Sequence, residues 1–181
     1  MSDTYWPRPL APFDERRSQF LEFSASAESQ GDRGFFNQIS RLELGREIDE
    51  DAIRHGLKYV DTNRDCTDFA VGGLLRIIAK YRDSPLLSRD LVNEIEARLL
   101  AFKYWWDEPG YDRRCYHTEN HQIIFHTDEL IAGQLYRDRV FENSGRDGRY
   151  HIEHATVLIE RWLDFRIRFG FSEWLSNCYF D

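Results

Sequence analysis

The sequence predicts an all-α fold built from antiparallel helical hairpins. Two observations lead there: no stretch alternates cleanly between apolar and polar residues, and apolar residues recur at three- and four-residue steps through successive segments of about 15 to 22 residues. A third is that the breaks between segments are short and carry Pro, Gly, Ser or Asn, as loops between antiparallel neighbours do.

Residues 1 to 34 hold Pro7, Pro9 and Pro12 together with Ser, Asp and Gly, and read as an irregular arm whose Phe13, Phe20, Leu21 and Phe23 dock on the body. The helical domain spans 35 to 181. Short helical patterns run from Phe35 to Leu44 and from Asp49 to Val60, the second with Asp49-Glu50-Asp51 at its start, where the helix dipole favours acid. Asp65 or Thr67 then caps a helix reaching Tyr81, with Phe69, Leu74, Ile77 and Ile78 as its apolar positions, and Ser84-Pro85 ends it.

Ser88 opens the next helix. Its Leu91, Ile95, Leu99, Phe102 and Trp106 keep the helical step until Pro109-Gly110. Thr118 caps a third, running to Tyr136; after Asn143-Ser144-Gly145 a fourth covers His151 to Phe169 and closes at Gly170. A short element from Ser172 to Asn177 follows. The aromatic ending Tyr179-Phe180-Asp181 carries no polar tail, which suggests that further hairpins belong on the C-terminal side.

The chain is 181 residues long, 41% hydrophobic and 31% charged, which suits one globular domain with a substantial core. Its net charge of −8 excludes the basic surface that nonspecific nucleic-acid binding needs. Cys66, Cys115 and Cys178 share no CxxC spacing, so neither a disulfide framework nor a zinc knuckle is expected. No basic segment precedes an apolar one at the N-terminus, and no run of eighteen apolar residues occurs; the expectation is a cytoplasmic chain without membrane contact.

Chemistry concentrates in Tyr116-His117-Thr118-Glu119-Asn120-His121-Gln122, which opens the third long helix. With about 100° per residue, His121, Phe125, Asp128 and Ala132 fall on one side and Glu119, His126, Leu130 and Gly133 on the other. Both sides carry apolar residues, so this is expected to be an inner helix packed around most of its circumference. His117 and His121, four apart, supply two metal ligands, but His126 is turned about 140° from His121 and HExxH is absent. No metal and no cofactor are expected on this basis.

Acid–base chemistry fits the same residues. An amide (Asn120), a base of near-neutral pKa (His121), a phenol (Tyr116) and a carboxylate (Glu119) meet at a helix start whose free N–H groups favour anions. The alternative is that they cap helices and satisfy loop carbonyls. Arg64, Asp65 and Asp68 open the earlier helix, and alternate parallel helices would bring both starts to one rim. Glu173, Trp174, Asn177 and Tyr179 combine aromatic and polar groups suited to a sugar platform.

Hairpins of this length with an inner helix beginning Thr118-Glu119-Asn120-His121-Gln122 resemble part of an (α/α) toroid, the helical barrel of many carbohydrate-active enzymes. The Asn120-His121 pair is similar to that of toroid polysaccharide lyases of the alginate-lyase and heparinase type. The resemblance implies that Asn120 neutralises a uronate carboxylate, His121 acts as base and a tyrosine acts as acid; Tyr116, Tyr150 and Tyr179 are the candidates, with Tyr116 nearest in sequence. Tyr-x-Thr-Glu-Asn-His-Gln with Gly-Phe-Ser-Glu-Trp-Leu-Ser-Asn also looks like a set of uncharacterised bacterial toroid-like proteins.

Three functional expectations follow. The first is a carbohydrate-active enzyme of lyase type with a saccharide ligand, or the N-terminal part of one. The second is a glycoside hydrolase pairing Glu119 with Asp65. The third is a noncatalytic scaffold or self-associating module.

Overall fold

The computed structural model describes residues 11–29, 31 and 34–176. Among these, seven helices form and no strand does: α1 (Phe13–Ser26), α2 (Phe36–Glu43), α3 (Glu50–Val60), α4 (Thr67–Tyr81), α5 (Arg89–Ala101), α6 (Glu119–Leu135) and α7 (Gly148–Phe169). The all-α class is as the sequence predicts. None of these helices is long and apolar enough to cross a membrane.

Side-chain contacts fix how the helices run. Phe36 meets Gly73 while Glu43 meets Lys80, so α2 and α4 are parallel neighbours. Asp68 meets His121 and Gly72 meets Asp128, so α4 and α6 are parallel too. In the same way Glu50 bonds Ser88, Arg54 bonds Glu94 and Asp61 bonds Arg98, aligning α3 with α5. Consecutive partners oppose: Ser24 bonds Ser40 and Asn37 bonds the Ala27 carbonyl across α1 and α2, and Gly133 meets Gly148 while Glu119 meets Arg166 across α6 and α7. The even-numbered helices α2, α4 and α6 thus form one parallel row, with their starts on one rim.

Helix α4 occupies the core. Its Ala70, Val71, Leu74, Ile77 and Ile78 are fully buried and pack with Ile53, Leu91, Ile95 and Phe125 from α3, α5 and α6. Removing this apolar surface from water is the main favourable contribution to folding. The α6–α7 hairpin approaches closely because a Cβ on Gly133 would lie 2.8 Å from the Gly148 carbonyl, and one on Gly148 would lie 2.4 Å from the Tyr136 carbonyl. Any larger residue would push the two backbones apart.

Three local expectations are corrected. Residues 13 to 26 are helical, because the prolines of the arm precede the helix and Asp14 and Glu15 occupy its first turn. This helix docks through buried Ala25, the Arg41 bond to the Ala25 carbonyl and the Ser24–Ser40 pair, while Phe13, Phe20 and Phe23 are exposed. Leu21 is half-buried.

The helix expected to reach Trp106 stops at Ala101, with Phe102 in extended geometry. There the buried Tyr104 hydroxyl bonds the Leu99 carbonyl, and Arg114 stacks 4.1 Å from the Phe102 ring while bonding the Lys103 carbonyl. These side-chain bonds to the backbone outweigh the helical periodicity. The short element expected from Ser172 to Asn177 is a set of turns over residues 172 to 176, and Asn177 lies outside the described residues.

Candidate functional site

The rim at the starts of α4 and α6 collects several of the sequence candidates. Arg114 ties it together, donating to the Thr67 hydroxyl (2.9 Å), the Asn63 side chain (2.6 Å) and the Lys103 carbonyl. There the buried His121 imidazole places Nδ1 2.6 Å from Oδ2 of the fully buried Asp68, while Nε2 lies 3.9 Å from Asp65 Oδ1. Burial raises the Asp68 carboxyl, and His121 offsets only part of that rise. The structure therefore brings Asp65, Asp68 and His121 together.

The other candidates at the α6 start are committed elsewhere. Both oxygens of Glu119 accept protein hydrogen bonds: Oε1 from the Ser172 N–H and hydroxyl and from Arg166, Oε2 from the N–H groups of Glu173 and Trp174. Burial alone would raise this carboxyl, but Ser172, Trp174 and Arg166 outweigh it and hold it below the ordinary range. In return Glu173 Oε2 accepts the Asn120 N–H. The turn at 172–174 is thus shaped by a carboxylate rather than by helix propensity.

Asn120 uses its carbonyl to accept from the Thr118 hydroxyl and the His121 N–H, both at 2.7 Å. Thr118, expected as the cap, makes no side-chain capping bond to the helix backbone. The Tyr116 hydroxyl donates to Asp112, and burial raises it well above an ordinary phenol. Arg64 is exposed, and its carbonyl accepts from Thr67. Trp174 stacks 4.9 Å from Phe171, beside Trp162, so its ring packs against protein. Asn177 and Tyr179 lie outside the described residues. Tyr116, Glu119, Asn120 and His121 are thus each bonded to separate protein partners.

A second cluster lies on the opposite flank of α6. Fully buried Glu129 accepts from His151 Nδ1 (2.8 Å) and His154 Nδ1 (2.9 Å), and His154 Nε2 reaches Asp107 Oδ2 at 3.2 Å. Burial alone would raise Glu129; the two imidazoles outweigh it and keep the carboxyl low. The Glu129 bond in turn raises His154 above 6.5, against burial and with help from Asp107. Tyr150 stacks on His154 with ring centroids 5.6 Å apart.

Here a cleft of about 580 Å³ opens, lined by Trp105, Trp106, Asp107, Tyr150, His154 and Arg161 among others. Trp106 is 63% exposed, so its ring is open to a ligand. Beside Trp105, at 4.2 Å between centroids, buried His126 has an Nδ1 with no protein partner. Burial lowers its pKa to about 4, so it is neutral at physiological pH.

This cluster was not expected from the sequence. The available signal was the three-residue spacing of His151 and His154, which puts both on one face of α7, together with Glu129 three residues after His126. What the sequence does not reveal is the α6–α7 register that joins them. Comparison of the chain with protein-family models, curated proteins and solved structures finds no match.

Proposed function

We propose that this protein is a carbohydrate-active enzyme whose substrate lies in the Trp105–Trp106–Tyr150 cleft and whose proton-transfer group is His154. The observation carrying the reading is the His154 imidazole held between buried Glu129 and the partly exposed Asp107 on the wall of an aromatic cleft. The buried Glu129 carboxylate orients the imidazole through Nδ1 while Asp107 meets Nε2 on the cleft wall, an arrangement that can hold and pass a proton in general acid–base catalysis. Aromatic rings offer apolar faces to sugars, and Arg161 adds a cation suited to a uronate carboxylate. The parallel row of α2, α4 and α6 supports a toroid-type hairpin array.

The reading moves the chemistry away from the Asn120–His121 pair. Pairing of Glu119 with Asp65 in a hydrolase loses support, because both Glu119 oxygens already serve the 172–174 turn and Arg166.

Incubating the folded chain with neutral and uronic-acid polysaccharides, while following ultraviolet absorbance of unsaturated products and release of reducing ends, tests it. We expect His154→Gln to lower any reaction at least about 100-fold and Trp106→Ala to raise the KM. A folded protein that neither binds nor alters any member of the panel overturns the reading.

One observation favours a noncatalytic, self-associating module instead. The last turns of α7 expose Leu163, Phe165, Ile167 and Phe169, with Ile167 82% accessible. Leu163 with Ile167 on one side of the helix and Phe165 with Phe169 on the other are exposed apolar pairs of the kind that association sites use. Concentration-dependent dimerisation abolished by Ile167→Glu, with no saccharide binding, is the result that would establish it.

A further inference from the structure

We propose that Asp65, Cys66 and His121 form a binding site for a zinc-class divalent transition-metal ion at the joined starts of α4 and α6. One ligand atom from each lies within 4.8 Å of the other two. In tetrahedral zinc sites, metal–ligand bonds of 2.0–2.3 Å place neighbouring ligand atoms roughly 3.3–3.8 Å apart. The 3.9 Å between His121 Nε2 and Asp65 Oδ1 is already close to that edge.

The surroundings supply what a metal-bound imidazole needs. With Nδ1 hydrogen-bonded to Asp68, His121 has Nε2 available on the side of Asp65, and Cys66 lies in the same cluster. A carboxylate behind the imidazole is the usual support of a zinc-bound histidine; it fixes the tautomer and raises ligand basicity. Asp68 is fully buried, and its Oδ1 has no protein partner. Asp65 is supported as well, since its Oδ1 accepts the Cys115 N–H at 3.0 Å.

Cys66 caps α4 with φ of 63°, and neither it nor Cys115 is in a disulfide. A thiolate, an imidazole and one carboxylate select zinc or cobalt over magnesium or calcium, which prefer oxygen ligands throughout. On binding, the Cys66 thiol releases its proton to water and the thiolate joins the Asp65 carboxylate, so two negative charges meet a doubly positive ion. The Asp65 side chain is 55% exposed, which gives the ion a path in and leaves the fourth position to water.

The other triad of possible ligands, Glu108, Glu129 and His151, does not qualify. His151 spends Nδ1 on Glu129 and Nε2 on the Ser144 hydroxyl, so no imidazole lone pair remains. The Asp65–Cys66–His121 site also stands independently of the cleft beside His154. Asp65 and His121 are candidates in the sequence, but the joining of Cys66, from the chain leading into α4, with a histidine of α6 depends on the parallel packing of the two helices.

Cobalt titration of the chelator-treated full chain tests the site. The expected result is one Co²⁺ per chain, with visible bands of four-coordinate intensity and a near-ultraviolet thiolate-to-cobalt band, all displaced by Zn²⁺. Cys66→Ser should remove the thiolate band and Cys115→Ser should leave it. Asp68→Asn, acting through His121, should weaken zinc binding about 10- to 100-fold while keeping the thiolate band. Should Cys66→Ser fail to fold, mass-spectrometric mapping of alkylation in the unaltered protein decides the matter, zinc being expected to protect Cys66. Absence of a thiolate band, equal zinc affinity in folded Cys66→Ser, or protection of Cys115 in place of Cys66 overturns the proposal.

Discussion

Glu119 and Glu173 cross-link two distant stretches of backbone: the Glu119 carboxylate accepts the N–H of Glu173, and the Glu173 carboxylate accepts the N–H of Asn120, the residue after Glu119. This reciprocal pairing joins the start of α6 to the turn that follows α7, more than fifty residues later. It also makes a stability prediction opposite to a catalytic one. Glu119→Ala leaves the amides of Ser172, Glu173 and Trp174 without their acceptor and should cost about 2 kcal/mol in urea unfolding. A variant as stable as the parent would mean that the carboxylate is held for chemistry.

The pH dependence of the same group has a definite sign. Because the folded-state pKa of Glu119 lies below 4.5, its contribution is present above that value and is lost as pH falls through the lower, folded one. Glu119→Gln should flatten the acid limb of the stability curve in that range.

His126 acts on the acid side for a different reason. Its pKa falls from 6.5 to about 4 through burial, so the unfolded chain takes up a proton that the folded chain refuses. Stability is full above pH 6.5 and declines between there and about pH 4, by up to about 3 kcal/mol. His126→Phe should remove this decline, as read from melting temperature against pH.

His154 has the opposite sign. Its folded pKa is raised above 6.5 by the Glu129 bond, so its contribution is complete below 6.5 and is lost as pH rises through the folded value. His154→Gln should therefore lower stability most in mildly acid buffer and least in alkaline buffer. Equal losses at both ends would show that packing against Tyr150, not charge, is what the imidazole contributes.

The α6–α7 contact offers a steric test. Gly148→Ala places a Cβ 2.4 Å from the Tyr136 carbonyl and 2.7 Å from the Gly133 carbonyl, both unyielding backbone atoms. The expected loss is roughly 1–3 kcal/mol. An unchanged melting temperature would mean that the hairpin can open without cost.

Much of the fold was legible because its signals are local. Asp49 and Ser88 each cap a helix through the side chain and Gly170 closes α7 with φ of 74°, whereas α7 starts at Gly148 behind Asp147, ahead of the expected His151, and α4 is capped by Cys66 and not by Asp65 or Thr67. The expectation of an inner α6 packed on several sides agrees with buried His121 and Asp128 toward α4 and buried Glu129 and Gly133 toward α7. What was not legible depends on partners outside the helix. Phe102 and Trp106 keep helical spacing yet leave the helix, because Tyr104 and Arg114 take over the chain's hydrogen bonds.

The candidate site divides in the same way. Asp65, Asp68 and His121 were all named from the sequence, and parallel packing of alternate helices unites them. Glu119 drew notice as a carboxylate at a helix start; only the distant 172–174 segment reveals what it holds. His151, His154 and Glu129 needed the antiparallel register that Gly133 and Gly148 permit.

Helix α6 also shows how a helix so rich in ionisable side chains tolerates a dry interior. Burial, reinforced by the neighbouring Asp68 carboxylate, drives the Asp128 carboxyl well up, and burial draws the His126 imidazole down to about 4. The carboxylates that stay ionised, Glu119 and Glu129, each face a cation or an imidazole donor. Burial thus favours the uncharged form at Asp128 and His126, while the charges the helix keeps, on Glu119 and Glu129, are matched by Arg166, His151 and His154 of α7.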